Sequence, residues 1–135
     1  MAPRVFKTRT FARWATRVGL SDAALWKSVG EMREGLLDAD LGGHVFKKRI
    51  ALPGRGKRGG ARTLVATRLD ERRFFLYGFG KNERGDIGSH ALKGFQELAK
   101  ELLGFDEIDL RIALAARELL EVKYGQDKTE ASDLG

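Results

Sequence analysis

The sequence predicts an α+β domain, with an antiparallel sheet packed against a helical hairpin and followed by C-terminal helices. Three observations carry this. Two helical apolar stripes stand near the N-terminus, three strand-like segments separated by turn signals fill the middle, and helical spacing returns after Gly88. The chain of 135 residues is of single-domain length, and a hydrophobic content of 42% supports a core without staples. The expected order is β-α-α-β-β-β-α-α, in one domain over residues 1–125. The polar stretch 126–135 reads as a frayed tail.

Pro3–Thr8, with Val5 and Phe6, reads as a first strand. Thr8 or Thr10 offers a hydroxyl to cap the next helix, whose apolar face is Phe11, Trp14, Ala15 and Val18. Gly19 ends it. Ser21 starts a second helix with the stripe Leu25, Val29, Met32 and Leu36, and the tight Gly-Leu-Ser turn makes the pair a hairpin. Leu41-Gly42-Gly43 then breaks the pattern.

From His44 to Leu52 the period changes to two. Phe46, Ile50 and Leu52 lie on one face, and Lys47 and Arg49 lie on the other with Val45 and Ala51. Pro53–Gly60, with four glycines, one proline and three cations, reads as a basic loop. Ala61–Arg68 resumes as a strand, with Val65 and Thr67 on one face and Arg62 and Leu64 on the other. After a turn at Leu69–Glu71, Arg73–Gly80 is nearly all apolar, as a strand covered on both faces would be. Lys81–Gly88 is polar and turn-rich. Ser89 is the expected cap of a helix carrying Leu92, Phe95, Leu98, Ala99 and Leu102, which ends at Gly104. Asp106 caps a last helix whose face is Ile108, Ile112, Ala115, Leu119 and Val122.

Composition narrows function. Cysteines are absent, which excludes disulfides, thiolate metal sites and a cysteine nucleophile, and two histidines make a histidine metal centre unexpected. The N-terminal segment has no apolar core of a secretory signal, and no run approaches the ~18 apolar residues of a membrane span. The expectation is a soluble cytoplasmic protein without cofactor or metal.

Charge is unevenly placed. Residues 44–84 carry twelve Lys/Arg against three Asp/Glu, a local +9 within a whole-chain +6. Cations on strands around a Gly-rich basic loop are a footprint for a polyanion. Lys47 and Arg49 share a face, and Arg62 joins them if the register allows; their mutual repulsion would then be offset by an anion, the alternative being a solvated outer face. Lys48, Arg55, Lys57 and Arg58 extend the basic surface toward a nucleic-acid backbone, or form a soluble hairpin tip. The loop is not a P-loop, because Arg58 follows Lys57 and a strand follows the loop. Lys81 and Arg84 leave the apolar strand beside the same face, with Glu83 between them. His90, at a helix start, is a candidate base or a plain surface residue, and His44 is a second candidate.

KKRIALPGRGKRGGARTLVA (47–66) followed by FFLYGFGKNERGDI (74–87) resembles the RelE-like toxins of bacterial type II toxin–antitoxin modules, within the RelE/ParE superfamily. The resemblance covers roughly residues 3–104. It implies a RelE-like fold and a metal-independent endoribonuclease, an mRNA interferase that cuts ribosome-bound mRNA with the RNA's own 2′-hydroxyl as nucleophile. The implied partners are a cognate antitoxin, the ribosome and mRNA. Carried over by position, Lys47, Arg49, Arg62, Lys81 and Arg84 are the cationic catalytic set. The chain departs from the pattern at Asn82, where some members have arginine, and at Gly88, where some have tyrosine. His90, or a lysine of lowered pKa, is the implied replacement base. A ParE-like gyrase inhibitor and a non-catalytic nucleic-acid-binding module remain alternatives, and the cationic set argues for the nuclease.

Overall fold

The computed structural model describes residues 3–54, 56–68, 72–80 and 87–123, with the side chains of residues 56–58 excepted. The chain forms β1 (Arg4–Thr8), α1 (Arg9–Val18), α2 (Asp22–Arg33), β2 (Ala39–Asp40), β3 (Val45–Leu52), β4 (Gly56–Thr67), β5 (Arg72–Gly80), α3 (Ser89–Leu103), α4 (Glu107–Ala115) and β6 (Leu119–Val122). One six-stranded sheet in the order β2-β3-β4-β5-β1-β6 separates two helical layers. The predicted α+β class and the β3-β4-β5 antiparallel meander are present. The sheet is nevertheless mixed, because β1 lies parallel to β5 while β6 pairs antiparallel with β1.

The alternation of strand side chains divides the core. Val5, Ile50, Leu52, Val65, Phe75 and Val122 pack under α1 and α2. Phe6, Val45, Leu64, Ala66, Phe74 and Leu76 pack under α3 and α4. Burial on both faces explains why β5 is almost uninterrupted apolar sequence.

Helix ends follow their predicted chemistry with one exception. The Thr8 hydroxyl accepts from the Phe11 N–H at 3.1 Å and donates to the Leu76 carbonyl at 3.1 Å, fixing the start of α1 to β5. Gly19 closes α1 at φ 79°, a left-handed conformation that suits glycine. Ser21 caps α2 through the Ala24 N–H. Asp106 and Asp109 cap each other reciprocally, and the backbone N–H of Asp109 holds the Asp106 carboxyl below the usual carboxylate range. A lowered value means the cap is present at neutral pH and lost only as acid protonates the carboxyl. The exception is α3, where Gly88 is the N-cap, no side chain caps, and Ser89 is already inside the helix.

Three further expectations are corrected. The segment 53–60 is not all loop: β4 begins at Gly56, which pairs with Leu52, and the chain reverses through Pro53 and Gly54 at φ 75°. Glycine weakens a strand without forbidding it, and the pairing with β3 is irregular between Gly56 and Ala61. Leu36 is not on the α2 stripe; the helix stops at Arg33, and Leu36 is exposed. The last helix does not reach Val122. It ends at Ala115, Arg117 turns the chain at φ 58°, and Leu119–Val122 becomes β6 on the open side of β1. Leu110 and Ala113 are its buried residues, while Ile108 and Ile112 are each 63% exposed.

Charged groups secure this corner. Arg4 pairs with Glu121 at 3.0 Å and Glu107 at 2.9 Å, and Arg72 pairs with Glu107 at 2.8 Å. Hydrogen bonding to Glu121 is the main cause of a raised Arg4 pKa. The Arg4 guanidinium also sits 5.0 Å from the centre of the Phe6 ring.

Gly78 is a point of close approach. A Cβ there would overlap the six-membered ring of Trp14, which α1 lays across β5. Gly78→Ala is expected to destabilise the protein by about 2 kcal/mol, as other overpacked cores do. Thermal unfolding checks this, and an unchanged melting temperature would contradict the packing.

Candidate nucleic-acid interface

The site is set by the register of β3 on β4. Arg49 stands directly opposite Arg62, and Lys47 directly opposite Leu64. Directly opposed residues share a face, so Lys47, Arg49 and Arg62 form one cationic surface. The strand pattern alone leaves this register open; the sheet settles it. On the other side of β4, Arg62 is opposite Phe79 and Leu64 is opposite Tyr77. A one-residue slip between Leu64 and Val65, with Leu76 as the extra residue, brings both aromatics onto the arginine face. The Tyr77 ring is half-buried, 5.2 Å from Phe95 of α3 and 6.1 Å from Phe79.

Two arginines directly opposed on neighbouring strands repel each other. Arg49 is partly compensated by Asp38. One carboxylate oxygen accepts from the Arg49 backbone N–H at 2.6 Å, and the other lies 3.9 Å from Nε. The sequence hardly signals Asp38; it is an acid just before a cationic strand. Arg62 donates weakly to a nearby carbonyl, that of Gly60, at 3.4 Å. Among the described residues, no carboxylate lies within ion-pair distance of Lys47 or Arg62. The surface therefore carries positive charge that an anion would relieve, and a guanidinium fork suits a phosphate.

The other expected residues fall differently. His90 is exposed in the first turn of α3. Phe95 of the same helix packs on Tyr77, opposite Leu64, and the far end of the helix reaches Arg68 through the Leu103 carbonyl. The start of α3 therefore lies toward the Arg62 end of the sheet, and His90 with it. His44 goes to the opposite end: it sits in a turn at φ 64°, its carbonyl accepting from the Thr67 N–H. Lys81, Arg84 and Arg55 lie outside the described residues, as do the side chains of Lys57 and Arg58. The chain approaches Lys81 from Gly80, which pairs with Ala61 beside Arg62.

Lys48, expected to touch RNA, is corrected. Its side chain is 3% exposed and points to the opposite face, where Nζ pairs with Glu31 at 2.7 Å and donates to the Leu36 carbonyl at 2.9 Å. Parity decides this, since Lys48 shares its face with Ile50. Among the described residues there is no cluster of His, Cys, Asp and Glu fit to hold a metal ion, and no helix long and apolar enough to cross a membrane.

The sheet with its opposed arginines is flanked by helices on both faces, as a small α+β domain. A family model described as the RelE toxin of the RelE / RelB toxin–antitoxin system matches residues 3–122. The chain belongs to this family, and an antitoxin partner comes with that membership. No curated protein sequence matches it significantly.

Lys48→Ala is expected to destabilise the fold by about 2–3 kcal/mol, the lower end for a broken buried pair because Glu31 is 20% exposed. Denaturant melts check this, and a neutral result would show that the pair holds nothing together.

Proposed function

We propose that the chain is a ribosome-dependent mRNA endoribonuclease that arrests translation in the cytoplasm until its cognate antitoxin covers it. The observation that carries this reading is the directly opposed Arg49–Arg62 pair with Lys47 on the same face. Such a surface suits a phosphate that gains charge during reaction. In the proposed step, the 2′-hydroxyl of one nucleotide attacks the adjacent phosphorus and gives its proton to a base. The bond to the 5′-oxygen breaks, that oxygen takes a proton, and the products are a 2′,3′-cyclic phosphate and a 5′-hydroxyl. Lys47, Arg49 and Arg62 stabilise the phosphorane-like transition state, where donors aimed at developing charge act most strongly. Lys81 and Arg84 are assigned to the same role after β5. His90, two residues beyond the family's tyrosine position at Gly88, is assigned as the base. Arg55, Lys57 and Arg58 are assigned to contacts with the RNA backbone. Ribosome dependence accords with an incomplete set of proton-transfer groups, which leaves the protein alone a weak nuclease.

The test is induced expression without antitoxin in a bacterial host, with mRNA 5′ ends mapped as growth is followed. Arrest with new in-frame cuts in translated messages is the expected result; arrest with intact mRNA would redirect the reading to gyrase or another target. Arg62→Ala is expected to remove toxicity and lower cleavage by about 10²-fold, the effect of losing one transition-state donor, with the fold intact. Growth arrest by a folded Arg62→Ala protein would sink the assignment.

A further inference from the structure

Helix α1 carries Arg9, Arg13 and Arg17 at successive turns and contains no acidic residue. Like charges at this spacing disfavour the helix, so each arginine invites an explanation. Arg9 has one: its guanidinium donates to the Ala116 and Arg117 carbonyls at 3.2 and 3.0 Å, at the open end of α4. Arg13 and Arg17 are exposed, and among the described residues neither has a carboxylate within ion-pair distance.

Behind them the sheet is incomplete. The last pair of β1 with β5 is Lys7 with Phe75, and β1 turns into α1 at Thr8. β5 runs on to Gly80, so among the described residues its positions 77–80 have no strand neighbour on the β1 side. A recess of about 250 Å³ opens there, lined by Thr10, Arg13, Trp14, Arg17, Tyr77 and Gly78. It offers two guanidinium groups one helical turn apart, one hydroxyl, and an apolar floor where Trp14 lies over Gly78.

We infer that this recess is a second phosphate-binding site, which takes a phosphodiester of the RNA strand other than the one cleaved. The inference rests on the RNA reading above and adds a separate set of residues to it. Paired arginines present forked donors to a phosphate's oxygens, and a threonine hydroxyl adds one more. The position fits a single strand of RNA. Arg62 is opposite Phe79 on the α3 face, while Trp14 covers Gly78 on the α1 face, so the arginine ladder and the recess lie on opposite faces of the sheet near the end of β5. The sheet stands between them, so an RNA strand that reaches both passes around the end of β5 and sets more than one nucleotide between the two phosphates. An RNA held in both sites crosses the Gly80 end of β5, and the recess then fixes which nucleotide is presented to the ladder.

The test uses a short fluorescein-labelled 2′-O-methyl RNA, which lacks the attacking hydroxyl and stays intact. It is titrated onto wild-type, Arg13→Gln/Arg17→Gln and Arg62→Gln proteins over a series of salt concentrations. The double substitution is expected to weaken binding about tenfold and to flatten the slope of log affinity against log salt by about 0.7 for each phosphate no longer neutralised. Both side chains are exposed, so the melting temperature should not change; Arg13→Lys/Arg17→Lys should restore most of the salt slope. Unchanged affinity and slope in the double glutamine variant, with weakened binding in Arg62→Gln, overturns the second site and leaves the RNA reading standing. A wild-type protein with no affinity for the RNA overturns both.

Discussion

The whole arrangement depends on burying β5 from both sides. Phe74 and Phe75 point to opposite faces of the sheet, and both are fully buried. A strand of this kind is stable only if apolar layers cover each face, which is why α1 and α2 occupy one side and α3 and α4 the other. Once β5 is central, β4 and β1 become its neighbours, and β3 is set in register by β4. The opposed arginines follow from that chain of placements. Their repulsion is tolerated because the hydrophobic layers below them hold the strands in place, so that binding capacity at the surface is sustained by burial elsewhere.

Charge is divided between two tasks in different parts of the molecule. Arg4 and Arg72 are neutralised by Glu107 and Glu121, which join the first strand, the middle strand and the C-terminal segment. Lys48 is neutralised by Glu31 and Lys7 by Asp22, tying the sheet to α2. These cations are structural. The ladder residues Lys47 and Arg62 and the α1 residues Arg13 and Arg17 stand apart from acids among the described residues. Net charge alone does not separate the two groups; strand parity and the position of acidic partners do.

Much of this was legible in the sequence for local reasons. The caps at Thr8, Gly19, Ser21 and Asp106 depend on one or two residues each, and the alternation through Val45–Leu52 and Arg62–Thr67 placed Lys47 and Arg49 on a common face, with Arg62 able to join them, before any register was known. What stayed hidden depended on distant partners. Leu119 and Val122 continue the spacing of a helix, yet β1 offered an unpaired edge that a strand could fill. The glycines of 54–60 read as a break, yet Gly56 pairs with Leu52, and after an irregularity the ladder with β3 is regular from Ala61. Lys48 reads with the loop cations as RNA-binding, although strand parity sets it on the face of Phe46 and Ile50. The parallel pairing of β1 with β5 has no sequence marker, since it joins residues almost seventy positions apart.

The position of β1 has a consequence for when the molecule becomes whole. It is held between β5 and β6, with Val5 opposite both Arg73 and Val122. β1 precedes the other described strands yet is one of the last to find all its neighbours, because its outer partner is more than a hundred residues downstream. Closing so long a loop is slow in conformational terms. While the chain is still being made, the helical hairpin and the β3-β4 hairpin have local contacts to form with, but the edge that anchors α1 does not. The finished sheet thus waits on β6, and α1 is anchored on both sides of β1 only once that late segment has folded back.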